Sequence, residues 1–323
     1  MPNNSLRRTR WSALSLLLAL SLALSACGDD GSAADGPPAA DSSDAAFPVS
    51  VLSGPVDGGK EITVEAEPQS IVSLSPTATE MLWAIGADEQ VVAVDDQSDY
   101  PEDVPTTELS GFKPNVEAIL GYEPDLVVSS GDTGDLVSGL AAAKVPVLLL
   151  PSATDLEESY SQVERLGAAT GHIADAAAVV GEMQTGIEAA LAEAGTADLT
   201  YFHELGPDLY TVTGNTFIGE VYSLFGMTSI ADAAGEGDDY PQLSSEYVVS
   251  EDPDFVFLAD NECCEITAAD VRARPGWQQM SAVRDDRIHV VNEDITSRWG
   301  PRVVEFVELI GEIVADRAEQ PTG

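Results

Sequence analysis

The chain has 323 residues, with 14 lysines and arginines against 56 aspartates and glutamates and a formal net charge of −42. That balance excludes nucleic acid as a partner, because binding it needs a basic footprint that neutralises phosphates, and it suits a solubilising or salt-adapted surface. The stretch from about Gly54 to Gln320 is long enough to bury the core of two lobes or of one large domain.

The N-terminus reads as a targeting segment. Arg7, Arg8 and Arg10 precede an uncharged run from Trp11 to Leu24. As a helix this run is about 21 Å long, short of the roughly 30 Å hydrocarbon core of a bilayer, so an export signal is expected in place of a membrane span. Leu24-Ser25-Ala26-Cys27 resembles the lipobox of bacterial lipoproteins, in which Cys27 is diacylated on sulfur and becomes the first residue after cleavage. The alternative is an ordinary signal peptide cut after Ala26. Two acyl chains anchor where one does not. Loss of residues 1–26 leaves 11 basic against 56 acidic residues, a net charge of −45. Residues 27–53 are expected to be a disordered, lipid-anchored linker, since residues 28–46 contain almost no large apolar side chain. That stretch is a tether of roughly 25 Å root-mean-square span.

Beyond it, strand and helix patterns alternate. Apolar runs predict strands at 70–75, 91–94, 125–130 and 145–150. Helices are predicted through "TATEMLWAIGA", "NVEAILGY" and "DLVSGLAAA". This βαβ rhythm argues for mainly parallel sheets. The pattern then recurs. Glu117 precedes Pro124 in "EAILGYEPDLVV" as Glu246 precedes Pro253 in "EYVVSEDPDFVF", and "EMLWAIG" (80–86) matches "EVYSLFG" (220–226), each with a glutamate expected to open a helix. Two related lobes follow. Between them Ile173, Ala176, Val180, Met183, Ile187 and Leu191 form one apolar stripe. It predicts a helix from Ile173 to Ala194, about 33 Å long, in which Gly181 and Gly186 each cost roughly 1 kcal/mol relative to alanine. "VVEFVELIGEIVADRAEQ" predicts a closing helix. The expected fold is α/β: two Rossmann-like lobes (54–154 and 197–323) with central, mainly parallel sheets, bridged by one long helix in the segment 155–196.

Chemistry-bearing residues are sparse. Cys263-Cys264 either form a vicinal disulfide, as an exported chain permits, or stand as two free thiols. A zinc site is not indicated, because His172, His203 and His289 are far apart and lack ligand spacing to the cysteines.

"IVSLSPTATEMLWAIGADEQVVAVDDQSDYP", "PNVEAILGYEPDLVV", "YTVTGNTFIGEVYSLFG" and "RPGWQQMSAVRDDRIHVV" resemble the cobalamin and ferric-siderophore binding proteins of ABC importers, from about residue 60 to 315. The resemblance implies an extracytoplasmic lipoprotein, monomeric and without cofactor or catalysis. Such a protein captures an iron-siderophore or cobalamin-type complex and delivers it to a permease and its ATPase. It also implies that one glutamate on each lobe docks on permease arginines, by motif Glu117 and Glu246. Helix-start carboxylates also interact favourably with the helix dipole, for about 0.3–1 kcal/mol, and these two are expected to face away from the cleft. Ligands of α/β sheets sit beyond the carboxyl ends of the strands. That rule nominates Ser75, Pro76, Thr77, Asp96, Gln97, Ser98, Gly111, Phe112, Lys113 and Gly131 on the first lobe. On the second it nominates His203, Asn215, Thr216, Phe217, Tyr240 and the "SRWGPR" segment. Phe112, Tyr240 and Trp299 suit a large organic shell. Arg298, with Arg302 behind it, is expected to meet ligand, the alternative being pairing with Glu293 or Glu305. Haem or a bare metal ion remain other cargoes, though the latter wants converging histidines and carboxylates. A lipid-anchored enzyme would need a nucleophile and base, and no Gly-x-Ser-x-Gly elbow is present. A surface adhesin on the same fold would lack a permease partner.

Overall fold

A computed structural model describes residues 46–235 and 237–319. The signal segment and Cys27 lie outside the described residues. Folding begins earlier than the expected end of the linker, at β1 (Val49–Ser53), which pairs antiparallel with β2 (Lys60–Val64). Val51 and Val64 are buried. The ribbon is pinned to the first lobe where Ser53 Oγ donates to the Val147 carbonyl at 3.0 Å and accepts from Leu149 N at 2.8 Å. A short strand with a single alternating face is easily read as linker.

The first lobe runs β3 (Ile71–Leu74), α1 (Pro76–Ala84), β4 (Val91–Val94), α2 (Val116–Leu120), β5 (Leu126–Ser129), α3 (Leu136–Ala142) and β6 (Val147–Leu149). Then follow α4 (Leu156–Thr170) and α5 (Ile173–Ala194). The second lobe runs β7 (Leu199–Glu204), α6 (Phe217–Leu224), β8 (Met227–Ser229), α7 (Ser245–Glu251) and β9 (Phe255–Leu258). It continues through α8 (Asn261–Cys264), α9 (Ala268–Ala273), α10 (Ser281–Arg284), β10 (Ile288–Val290), α11 (Glu293–Ser297) and α12 (Val303–Glu319). The sheet orders are β4-β3-β5-β6 and β8-β7-β9-β10, and every pairing within them is parallel. The two lobes therefore share one topology, as the repeated motifs require.

The motifs have local causes. Ser75, Asn115, Asp155, Thr216 and Ser244 cap α1, α2, α4, α6 and α7, each side chain accepting a backbone N–H of the first turn. Gly86 and Gly226, the last residues of the repeated heptapeptides, adopt φ of 75° and 76°. A left-handed turn of that kind ends α1 and α6 at little cost only with glycine. In the two Pro-Asp turns, Asp125 accepts from Gln69 N (2.9 Å) and Ser70 N (3.0 Å), and Asp254 accepts from Thr200 N (2.9 Å). Each aspartate thus locks the entry of the central strand beside it.

Helix α5 has the bounds its stripe predicts. Ala176, Val180, Met183 and Ile187 are buried, while Ile173 is exposed. It packs against α4 on one side and α12 on the other. Helix α12 buries Val303, Phe306, Val307, Ile310 and Val314, a single stripe whose fully buried large side chains contribute roughly 1.5–3 kcal/mol each. Gly186 is where the two helices approach closely: a Cβ there would meet Val304 Cγ1 at 2.6 Å, whereas one at Gly181 would meet nothing. Among the described residues, no helix is long and apolar enough to cross a membrane.

Candidate ligand cleft

The carboxyl ends of both sheets carry the nominated loops. On the first lobe, Ser75 is buried as the cap of α1, Pro76 follows at its first position, and Thr77 is buried with its Cγ2 3.6 Å from where a Cβ on Gly300 would lie. Gly111 crosses the end of β3 so closely that a Cβ would meet the Leu74 carbonyl oxygen at 2.5 Å. Phe112, next in the chain, is turned outward and 76% exposed. Lys113 is exposed too and makes no ion pair among the described residues. Gln97 is exposed. Beneath it, buried Asp95 accepts from Ser98 Oγ at 2.5 Å, and burial raises the Asp95 pKa.

On the second lobe, Tyr240 is 47% exposed, as is Tyr210. The bridge between Tyr210 and Gln242 brings the two tyrosine-bearing loops together beyond β7. Two nominated residues lie elsewhere. Phe217 is buried in the core at the start of α6, because the cap at Thr216 turns it inward. His203 is fully buried in β7, with Nδ1 2.9 Å from the Tyr222 hydroxyl. Burial lowers its pKa to about 3, so it stays neutral at neutral pH.

The "SRWGPR" segment differs most from expectation. Arg298 is buried: Nη1 donates to Glu80 (2.8 Å) and Asp99 (3.0 Å), and Nη2 donates to Asp294 (2.6 Å) and the Gln97 carbonyl (3.3 Å). Arg302 grips the same Glu80 through Nε (2.9 Å) and Nη2 (2.5 Å) and lies 4.0 Å from the Tyr100 ring centroid. Trp299 is half-buried, its Nε1 donating to Gln162 at 2.8 Å while its carbonyl accepts from Ser159 Oγ at 2.5 Å. The segment is a strap from the entry of α12 to α1, α4 and the 95–100 loop of the first lobe. Its arginines meet Glu80, Asp99 and Asp294, not Glu293 or Glu305. Glu80 does not open its helix. It sits in the second turn of α1, 3% exposed, between two guanidinium groups.

Glu117 and Glu246 are exposed in the first turns of α2 and α7. Each thus offers a solvent-facing carboxylate at the start of a short helix, one on each lobe. A hollow of 390 Å³ draws Asp155, the cap of α4, Tyr160 from α4, Gln184 and Ile187 from α5, and Glu220 from α6. It thus takes its walls from the interlobe helices and the second lobe.

Two features were not nominated from sequence, and a third, the cysteine pair, was named there with its redox state open. Tyr210 lacked any motif. At the ends of β7 and β9, buried Glu204 is held by Arg274 at 2.6 and 2.5 Å, and Asp260 lies beside it with no donor to either carboxyl oxygen. Burial first, and the Glu204 charge second, push Asp260 up to about 7. Beyond them α8 carries Cys263 and Cys264, both exposed, with their sulfurs joined. Adjacency in the chain was the only available signal for that pair.

Two lobes of like topology, joined by one stiff helix and opening on a shared cleft, define a bilobed α/β binding protein. The chain belongs to the periplasmic binding protein family, whose model matches residues 71–294. It is 30% identical to an uncharacterized ABC transporter substrate-binding lipoprotein, YvrC, of Bacillus subtilis, over 94% of this chain and 96% of that one. It is 32% identical to a cobalamin-binding protein of Halobacterium salinarum, over 90% of this chain and 81% of that one. Among solved structures, the periplasmic heme-binding protein RhuT from Roseiflexus sp. RS-1 matches with a TM-score of 0.70 at 23% identity, covering 78% of this chain and 100% of that one. That last likeness is one of fold alone.

Proposed function

We propose that this protein is the lipid-anchored receptor of an ABC importer, that it captures an uncharged or weakly charged metal chelate of corrinoid type between its lobes, and that it presents the chelate to a permease through Glu117 and Glu246. The observation that carries this reading is the placement of the arginines. With Arg298 and Arg302 both bound to Glu80, Lys113 is the one unpaired cation of the nominated loops among the described residues. The exposed large apolar groups of the loops at the two carboxyl edges are aromatic: Phe112 next to it in the chain, and Tyr210 and Tyr240 on the second lobe. A tris-catecholate trianion would want several cations, and a body at −45 offers it none at long range. A corrin ring wants broad apolar and aromatic contact with few polar groups. The relative named as a cobalamin-binding protein supports the same class, and the relative named as a lipoprotein supports acylation at Cys27.

Thermal unfolding in the presence of cyanocobalamin, a ferric hydroxamate, haem and a ferric tris-catecholate tests the cargo. A ligand at 100 times its dissociation constant stabilises the native state by about 2.7 kcal/mol, a shift of a few degrees. Cyanocobalamin is expected to give the largest shift and the tris-catecholate none. A larger shift with the tris-catecholate contradicts the charge argument, and a larger shift with haem or the hydroxamate replaces the corrinoid.

A further inference from the structure

We propose that the joined pair Cys263–Cys264 is a cargo contact of the second lobe, an uncharged sulfur surface against which an apolar face of the chelate packs. This rests on the corrinoid reading above and adds a residue-level site to it.

Position comes first. Helix α8 follows β9 at its carboxyl end, the edge on which ligands of parallel sheets lie. From the sulfur turn the neighbours lead to the other lobe: Glu262, next to Cys263, accepts from Nδ2 of Asn292, the cap of α11, at 2.8 Å. Glu293 opens α11, which carries Asp294 to Arg298, and Arg298 reaches Asp99 on the first lobe at 3.0 Å. The sulfur pair therefore borders the gap between the lobes.

Exposure and chemistry come next. Both cysteines are exposed, between two exposed glutamates, Glu262 and Glu265. In a chain with this excess of acid, two sulfurs at the head of a cleft strand interrupt a negative surface with an uncharged, polarizable one. Sulfur of this kind makes favourable contacts with ring systems. A solvated rim turn has no use for such a surface, whereas a large, flat and uncharged ligand does.

The turn is also fixed in advance. Cys264 N donates to the Asp260 carbonyl at 3.2 Å, Glu265 N to the Asn261 carbonyl at 2.9 Å, and Asn261 Nδ2 to the Ile266 carbonyl at 2.9 Å. Asn292 Nδ2 donates to Glu262 at 2.8 Å, tying the turn to the start of α11. A contact surface held before the ligand arrives loses little freedom on binding.

Two experiments on the whole protein test the site. In the first, wild type and the Cys263→Ser/Cys264→Ser variant are titrated with cyanocobalamin, with circular dichroism confirming the fold. The variant is expected to bind about tenfold more weakly, equivalent to about 1.4 kcal/mol. In the second, wild type is treated with dithiothreitol with and without saturating cyanocobalamin, and the freed thiols are counted by alkylation and mass. Reduction delivers two electrons and two protons to the disulfide and oxidises the dithiol. Bound cyanocobalamin is expected to slow it severalfold, and this arm needs no variant to fold. Equal affinity of the variant, a reduction rate indifferent to ligand, or alkylation of both cysteines without reductant each overturns the site. Failure of wild type itself to bind cyanocobalamin overturns the cargo reading, and this inference with it.

Discussion

Glu80 receives two guanidinium groups, and its removal leaves buried Arg298 and half-buried Arg302 with one carboxylate fewer. Breaking a buried pair from one side costs about 3–5 kcal/mol. Glu80→Ala is expected to lower stability to chemical denaturation by that order, and a loss below about 1 kcal/mol, the value of an exposed pair, would contradict the strap. No local pattern could reveal these partners, since Glu80 lies 218 and 222 residues from Arg298 and Arg302. A search for nearby acids could find only neighbours in sequence. Two further buried groups set opposed pH dependences. Asp260 holds its proton up to about 7 in the folded state against an ordinary value of 3.8. Between those values only the folded state is protonated, so its contribution is full below about pH 4 and is lost as pH rises to about 7. His203 refuses a proton down to about 3 against an ordinary value of 6.5. The unfolded state alone takes that proton as pH falls below about 6.5, so stability is lost on the acid side. Melting temperatures from pH 4 to 8 should therefore show Asp260→Asn gaining on wild type as pH rises, and His203→Asn gaining as pH falls. Profiles parallel to wild type would contradict both assignments.

At the scale of elements, the periodic ones were legible. The α5 stripe gave its bounds to the residue because its apolar positions repeat over many turns, and the strands of the first lobe, with β9 of the second, announced themselves as apolar runs, whereas β8 and β10 are three-residue strands with too little pattern to read. β1 was missed because five alternating residues next to a glycine-rich turn carry little pattern. Among the nominated loop residues, exposure was legible where a loop position dictates it, as at Phe112 and Tyr240. Caps at Thr216 and Ser75 turned the nominated neighbours inward. Packing also separates two glycines that sequence treats alike. Gly181→Ala meets open space in α5 and is expected to stabilise by up to about 1 kcal/mol. Gly186→Ala pushes on Val304 across the α5–α12 contact and is expected to gain nothing or lose. Equal gains in denaturant midpoint would show that the helices do not meet there. For α2 and α7, reversing Glu117 and Glu246 to lysine together is expected to abolish coupled transport while leaving cyanocobalamin affinity unchanged. A lost affinity in a folded variant would move these residues into the binding surface.

Over the whole molecule, the acid excess and the fate of the arginines combine. A net charge of −42 is screened beyond roughly 8 Å at physiological ionic strength, so on the proposed reading the nominated loops set ligand charge, and they hold exposed Lys113 next to exposed Phe112. The strap joins the entry of α12 to the first lobe, and α5 lies between α4 and α12. Both links favour a receptor whose lobes move little on capture. Calorimetric titration of the purified protein with cyanocobalamin, with a ferric tris-catecholate as competitor, bears most directly on this account. One-to-one binding at about 1 μM or tighter, undisturbed by the competitor, is the predicted result. Absence of cyanocobalamin binding, with tight binding of the trianion, would contradict it.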